Sequence, residues 1–456
     1  MTLGALMRLP LLGCYSSNNM LSNRSERVRG KKVMNEHRHA VLIEWADGKR
    51  QRYSKEFQTD EQYRRAWYQT LQRAHKTVAV FCQCFGRGVK KLEVRHLNEA
   101  NTFYLARYKN TGPEHSPDCI YYAPDIESSG LSGYSRDVVE EMSNGSLRVK
   151  LQMGLKAGVP TTSKEAAIEP ISRGVQLKKP AMSLLGLLHL MWSESGLHSW
   201  TPRMAGKRNL GLVNAKLREV GQRIRAGRML LDDVLLIGTL QAKSAHANEN
   251  YKRLKQARER QLRLVIVAPL ASHTDERENE VQFMRIAGFH GIPLIRIESS
   301  VWAMAKRRYP GAIRAWRQGS RVIAIVQTSS PSQEGRSVEM LSVGLMAVSS
   351  EWVPFESSYE EKVEKKLRAE ARRFYKPLRF DASGDEVFPD FWLLDTPEEV
   401  PMEVFGMATP EYLERKEIKK IYYDGKHGPD GWWSWDAVVQ PNEIPQFPVK
   451  RHFTRS

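Results

Sequence analysis

The feature that most constrains the fold is a set of cysteine and histidine residues. Cys82 and Cys84 form a Cys-x-Cys pair, and His115 and Cys119 form a His-x3-Cys pair. Three thiolates and one imidazole make a closed tetrahedral zinc site that leaves no position for a catalytic water, so the pattern predicts a structural Zn²⁺. The alternative is three unrelated free cysteines and a surface histidine. The clustering favours zinc, because the sequence has only one other cysteine, Cys14.

The residues around these pairs predict a small β-rich module. Strand-like runs at Lys91–His96 and Thr102–Tyr108 lie between the two pairs, and a hairpin made from them would bring the pairs together. A helix is expected over Thr59–Ala74. We therefore expect a zinc-binding module over residues 36–124. It resembles zinc-knuckle modules such as SWIM-type fingers in its first pair, whereas the second pair departs from that pattern.

Acidic and basic residues follow an ordered pattern towards the C-terminus. Ser357 precedes a helix that carries Glu360 in its first turn, which is typical of an N-cap. Asp390 follows a proline at the start of a predicted strand, and Glu403 lies in the next one. A helix with Lys419 on one face comes after them. The order predicted is helix, strand, strand and helix, with Glu, Pro-Asp, Glu and Lys along it.

This order resembles the PD-(D/E)XK phosphodiesterase fold. The resemblance implies that Asp390 and Glu403 hold Mg²⁺ or Mn²⁺ and that Glu360 is an auxiliary ligand or base. It departs from the family at Phe405, where the family's lysine usually stands. The following helix supplies the alternatives, with Lys419 as first choice and Lys416 as second.

Cations near this constellation are candidates for phosphate contacts. Lys362, Lys366 and Arg373 lie on a basic stretch predicted to be helical from Tyr359 to Arg379, and Arg415 shares a face with Lys419. Such residues can follow a nucleic-acid backbone. A solvated helix face with no partner is the equal alternative.

Charge and cysteine content limit the class of protein. The chain of 456 residues carries 70 Lys and Arg against 52 Asp and Glu, a net charge of +18. That surplus favours a polyanionic partner, and DNA or RNA is the usual one. The few cysteines in metal-like spacing predict a cytoplasmic protein, and no apolar run is long enough to span a membrane. Phosphate loops of the GxxxxGK[ST] and GxGxxG types are missing from the sequence, which argues against an ATPase or a dinucleotide enzyme.

The expected fold class is multidomain α/β. We predict a disordered basic lead over 1–35, the zinc module over 36–124, a linker over 125–179, a helical and α/β middle region over 180–350, and the nuclease-like domain over 351–456. Alternating strands and helices after Leu262 predict βαβ units. The basic helices before them fit either a helix-turn-helix or an ordinary helical subdomain.

The chain also resembles a family of uncharacterised bacterial proteins found on conjugative plasmids and integrated mobile elements. Its Cys and His pairs, Trp200-Thr201-Pro202-x-Met204, and the Pro-Asp-Phe and Glu-Val-Phe-Gly phrases carry this likeness. The function expected is a DNA endonuclease or nickase that hydrolyses phosphodiester bonds. The alternatives are a non-catalytic DNA-binding or scaffold protein and an RNA-processing nuclease.

Overall fold

The computed structural model is a mixed α/β structure. Four β-sheets and ten α-helices lie within the described residues. Among those residues, no helix combines the length and the apolar character that crossing a lipid bilayer requires. The described residues are 38–97, 102–108, 111–116, 119–121, 138–142, 144–157, 181–279, 282–284, 286, 290–332, 337–378, 388–407 and 410–451. The predicted lead over 1–35 lies outside them.

The first sheet is antiparallel and belongs to the predicted zinc module. Its strand order is β2-β1-β3-β4-β5, and β4 and β5 pair as the expected hairpin. The predicted helix starts later than expected, after a 3-10 turn at Glu61–Tyr63. The elements are β1 (Val41–Glu44), β2 (Arg50–Tyr53), α1 (Lys55–Thr59), α2 (Arg64–Ala74), β3 (Ala79–Cys82), β4 (Lys91–Leu97) and β5 (Thr102–Arg107).

The second sheet corrects the prediction of a linker over 125–179. Residues 138–142 and 144–157 of that segment carry two strands, β6 and β7, and β7 pairs in parallel with β9, far along the chain. Their weak periodicity reflects their short length of three residues each. The elements are β6 (Val139–Glu141), β7 (Leu147–Val149), α3 (Leu184–Glu194), β8 (Ser199–Trp200), α4 (Leu210–Gly221), β9 (Ile224–Ala226) and β10 (Met229–Leu230).

The third sheet is mixed, in the order β11-β12-β14-β15-β13 with β16 on β15. Strands β11 and β12 are parallel around α5, whereas β12, β14 and β15 are antiparallel neighbours. The βαβ units predicted after Leu262 are therefore wrong, because β12 pairs antiparallel with β14 and β13 pairs with β15 instead. The elements are β11 (Leu235–Ile237), α5 (Ala245–Glu259), β12 (Val265–Pro269), α6 (Asp275–Asn279), β13 (Leu294–Arg296), α7 (Ser299–Arg308), α8 (Pro310–Arg317), β14 (Arg321–Thr328), β15 (Ser337–Val348) and β16 (Pro354–Phe355).

The fourth sheet carries the C-terminal acids. Its order is β20-β19-β18-β17-β8, and α10 connects the parallel strands β19 and β20. The edge strand β8 comes from the middle region, and one hydrophobic core runs from Val138 to Leu378. The predicted boundary at 350/351 is therefore not a break in packing. The elements are α9 (Ser358–Ala369), β17 (Phe374–Tyr375), β18 (Phe391–Leu393), β19 (Val400–Phe405), α10 (Pro410–His427) and β20 (Trp433–Asp436).

A buried ion pair holds the last described residues against this sheet. Arg372 is only 2% exposed, and both its Nε and its Nη2 donate to the Asp395 carboxylate, at 3.1 and 2.9 Å. Nη2 also donates to the Pro448 carbonyl at 2.8 Å. We call residues 440–451 the C-terminal strap. The buried guanidinium group of Arg372 is thus one of the groups that attach the strap.

Replacing Arg372 by Met should lower the free energy of unfolding by about 3 kcal/mol, because Asp395 would remain buried without its cation. Urea denaturation followed by tryptophan fluorescence measures this loss. The matched control is Lys252→Met, which removes an exposed ion pair to Glu249 at 3.0 Å and should cost less than about 1 kcal/mol. Equal losses in the two variants would contradict the prediction.

Candidate functional site

The four predicted zinc ligands converge in the first sheet. Cys82 ends β3, Cys84 follows it, and the segment after β5 brings His115 and Cys119 back to the same point. All four side chains are buried, and their ligand atoms lie within 4.8 Å of one another. Among the described residues they are the only group of three or more such side chains gathered this closely.

The separations between these atoms suit a tetrahedral metal. Cys82 Sγ lies 3.6 Å from Cys119 Sγ, and His115 Nδ1 lies 3.6 Å from the Sγ atoms of Cys84 and Cys119. Tetrahedral bonds of about 2.3 Å to sulfur and 2.1 Å to nitrogen place the ligand atoms roughly 3.6–3.8 Å apart. The Cys₃His set can therefore hold a structural metal such as zinc.

Glycine at position 86 lets the two ligand segments approach. A Cβ atom built there would lie 1.9 Å from the carbonyl oxygen of Glu114 and 2.7 Å from the Cα atom of His115. The backbone amide of Ser116 also donates to Cys84 Sγ at 3.3 Å. The two segments are thus held together by direct backbone packing and by the hydrogen bond to the Cys84 thiol.

The three predicted acids converge in the fourth sheet. Glu360 points inward from the first turn of α9, Asp390 immediately precedes β18, and Glu403 lies in the middle of β19. Glu360 is 6% exposed and Glu403 is 1% exposed. We call these residues, together with Lys376 and Lys419, the acid cluster. Its three carboxylates do not approach one another as closely as the Cys₃His ligand atoms do.

Hydrogen bonds hold each carboxylate in place. Lys419 Nζ donates to both oxygens of Glu403, at 2.9 and 2.8 Å, and the Tyr423 hydroxyl donates to Oε1 at 2.8 Å. Asp390 Oδ2 accepts the backbone amide of Val404 at 2.8 Å. Its other oxygen makes no hydrogen bond with the described residues. Asp390 therefore keeps one acceptor available beside Glu403.

Burial and mutual repulsion make these acids unusually basic. Burial raises the pKa of Asp390 to about 6, and the nearby charge of Glu403 adds to the rise. Burial likewise raises the pKa of Glu360 to about 7, with Asp390 adding to the rise and Lys376 opposing it. Carboxylates crowded in this way favour a bound cation. A perturbed group of this kind is a mark of functional sites.

Lys376 is a member of the acid cluster that sequence reasoning missed. Its Nζ donates to Glu360 Oε2 at 2.7 Å, and its side chain is almost fully buried. Burial opposes its charged form, but the carboxylates of Glu360 and Asp390 raise its pKa above the ordinary value. The sequence predicts a helix as far as Arg379, which would include Lys376. In the structure α9 ends at Ala369, and Lys376 directly follows β17. The available signal was a single lysine within an apolar strand-like run.

The two lysines proposed for the missing Glu-x-Lys position occupy different places. Lys419 lies in the acid cluster, whereas Lys416 pairs with Asp436 and has its Nζ 5.0 Å from the Phe405 ring centroid. Phe405 itself is buried, with 2% exposure. Of the two lysines, only Lys419 therefore contacts a carboxylate of the acid cluster.

The predicted phosphate-binding lysines on α9 donate hydrogen bonds to the C-terminal strap. Lys362 Nζ donates to the Pro441 carbonyl at 3.2 Å, and Lys366 Nζ donates to the Ile444 carbonyl at 2.9 Å, so the C-terminal strap uses both. Arg373 donates its backbone amide to Asp395. The side chain of Arg415 lies outside the described part of the structure.

The chain belongs to the family described as "Protein of unknown function (DUF1173)", which matches residues 53–437. That span contains the Cys₃His set and the acid cluster. No curated protein and no solved structure matches the chain.

Purified protein should contain about one zinc ion per chain, as the closed four-ligand set requires. Cys119→Ser should lose it, because a serine hydroxyl does not replace a thiolate as a ligand. Cys14→Ser makes the same chemical change outside the described residues and should keep the full content. Elemental analysis by mass spectrometry gives the comparison. Zinc retained in Cys119→Ser, or absent from the wild type, would contradict the assignment.

Proposed function

We propose that this chain is a metal-dependent DNA endonuclease or nickase with a PD-(D/E)XK-type C-terminal domain. The observation that carries the proposal is the convergence of Glu360, Asp390 and Glu403 from one helix and two adjacent strands. Two cations, Lys376 and Lys419, lie against these acids. Acids with raised pKa values and adjacent lysines are the groups that phosphodiester hydrolysis requires.

Oxygen ligands at this site suit Mg²⁺ or Mn²⁺. Asp390 and Glu403 would hold the ion, since Asp390 immediately precedes β18 and Glu403 lies on the neighbouring β19, and the charge of Glu403 adds to the effect of burial in raising the pKa of Asp390. Glu360 would join as an auxiliary ligand or as a base. What the bound ion supplies is polarisation of the scissile phosphate and a more acidic water.

The chain's own residues then have defined tasks. Lys419 reaches the cluster from α10 and keeps 27% of its side chain exposed, so its ammonium can turn from Glu403 to a phosphate oxygen. Tyr423 holds Glu403 in place throughout, at 2.8 Å. Lys376 stays buried and fixes the orientation of Glu360. Positioned charges of this kind stabilise a transition state because they need little reorganisation.

The DNA partner and a role on bacterial mobile elements complete the proposal. The net charge of +18 supports a nucleic-acid partner. Lys362 and Lys366 are not assigned to DNA, because the C-terminal strap accepts their hydrogen bonds.

A second candidate is a DNA-binding or scaffold protein without catalysis. The buried Phe405 favours it, since PD-(D/E)XK nucleases usually carry their catalytic lysine two residues after the second acid, the position that Phe405 occupies here. RNA processing is the third candidate, and an RNA substrate tested beside DNA separates it.

Asp390→Asn and Glu403→Gln should each reduce nicking of supercoiled plasmid by about a hundredfold or more, because each removes a negative ligand without changing its shape. Agarose gels with Mg²⁺ or Mn²⁺ provide the measurement. Activity should also vanish when the divalent ion is omitted, a milder step than adding a chelator, which would strip the Cys₃His site. Glu417→Gln, on the exposed side of α10, is the matched control. A wild type that binds DNA but cuts none of its forms would leave the scaffold as the function.

Lys419→Met and Lys416→Met separate the two candidate lysines on one helix. The first should abolish cleavage, since only Lys419 lies against Glu403. The second should leave the rate within about threefold, because Lys416 pairs with Asp436. The reverse order of effects in the same plasmid assay would move the catalytic role to Lys416.

A further inference from the structure

An aromatic ring is exposed to solvent beside the Cys₃His set. Phe85 follows Cys84 directly and is 89% exposed. The next residue, Gly86, packs against the Glu114 carbonyl, and Lys90 Nζ donates to the carbonyls of Gly86 and Gly88, at 3.2 and 3.1 Å. The backbone next to Phe85 is thus held in place, and the ring stands exposed to solvent.

Through its contact with His39 the ring adjoins an open pocket of about 470 Å³, although Phe85 itself does not line that pocket. His39 lines the pocket, and its ring centroid is 6.4 Å from that of Phe85, in an edge-to-face arrangement. Arg38, the preceding residue, also lines the pocket and donates from Nη1 to the Tyr121 hydroxyl at 3.4 Å.

The pocket is cationic. Arg38, Arg52 and Lys55 line it, and Glu56 is the one acid among the lining residues. Isolated exposed apolar residues are common and need no explanation. An exposed ring next to a pocket that three cations line is a different arrangement, since bases stack on aromatic rings while phosphates pair with cations.

The loop that carries the ring also touches the C-terminal domain. Arg87 Nη2 donates to the Pro397 carbonyl at 3.2 Å. Pro397 lies in the turn between β18 and β19, which lead from Asp390 to Glu403. Nucleic acid held at Phe85 would therefore be held against the domain that contains the acid cluster.

We propose that Phe85 and the adjacent pocket bind single-stranded DNA, with a base stacked on the ring and phosphates paired with Arg38, Arg52 and Lys55. Bases of a duplex are stacked inside it and offer no open face, whereas those of a single strand do. A protein partner would require a broader apolar surface than one ring. This inference deepens the proposed function by naming the strand form that the enzyme holds, and it rests on that function only for the identity of the reaction.

Fluorescence anisotropy with a fluorescein-labelled thymidine oligonucleotide of about 20 nucleotides tests the site without divalent ions. Phe85→Ala should raise the Kd about tenfold, and Phe85→Trp should preserve it, because stacking depends on the ring. The double variant Arg52→Ala/Lys55→Ala should reduce the slope of log Kd against log salt by about 1.4. Zinc content of each variant should match the wild type, which shows that the module is folded.

Two controls separate stacking from general effects. Val89→Ala changes a 63% exposed apolar residue on the same loop, and Tyr251→Ala removes a 51% exposed ring from α5. Both should leave the Kd within about twofold. Unchanged binding in Phe85→Ala would overturn the inference. So would an equal loss for duplex DNA, or binding of a uridine oligonucleotide more than about tenfold tighter than that of DNA.

The outcomes also distinguish this inference from the proposed function. Phe85-dependent binding by a protein that cuts no DNA would leave the inference standing while the nuclease fails. Plasmid cleavage that depends on Asp390 and Glu403, with single-strand binding unaffected by Phe85→Ala, would confirm the nuclease and refute the single-strand site.

Discussion

A carboxylate buried in the middle of a sheet persists only where cations and hydrogen-bond donors replace its lost hydration, and the C-terminal sheet is organised around that requirement. Glu403 lies in β19 with 1% exposure, and Lys419 and Tyr423 from α10 enclose it. The connection between the parallel strands β19 and β20 must be a crossover, so α10 passes over this face of the sheet. The helix therefore both completes the fold and supplies the compensating charge. Removing it would leave β19 with an unpaired acid in its core.

The same requirement explains where many of the chain's cations go. Arg372 compensates Asp395, Lys376 compensates Glu360, and Lys362 and Lys366 anchor the C-terminal strap through its carbonyls. Arg208 in the middle region donates to the carbonyls of Leu197 and Glu351, each at 3.0 Å, and so joins the middle region to the segment before α9. A surplus of basic residues is thus used partly for internal pairing. The net charge therefore does not locate a surface for a polyanionic partner.

Local patterns were predictable from the sequence, and distant ones were not. The Cys₃His set could be found because few chemistries use that spacing, and the hairpin of β4 and β5 joins its halves as expected. The place of Lys376 in the acid cluster could not be predicted, because the basic periodic run from Tyr359 to Arg379 predicts one continuous helix. In the structure α9 ends at Ala369, and Ala371 has a φ of 52°. The sequence predicts a linker where β6 and β7 lie, because β9, the partner of β7, is distant in the chain: Leu147 pairs with Ile224. The strap's cover over Lys366 depends likewise on where a distant segment folds back.

The acid cluster and the Cys₃His module are separate sites in one connected structure. Buried carboxylates with raised pKa values reduce stability where they stand, because ionising them near neutral pH opposes burial. The Cys₃His set has no such cost once a metal joins its ligands, and Cys84 of that set directly precedes Phe85. The contact of Arg87 with Pro397 brings the rigid loop to the turn between the strands that position the acids. The ring proposed to stack on a base and the acids proposed to hold a metal are then carried by neighbouring parts of the same molecule.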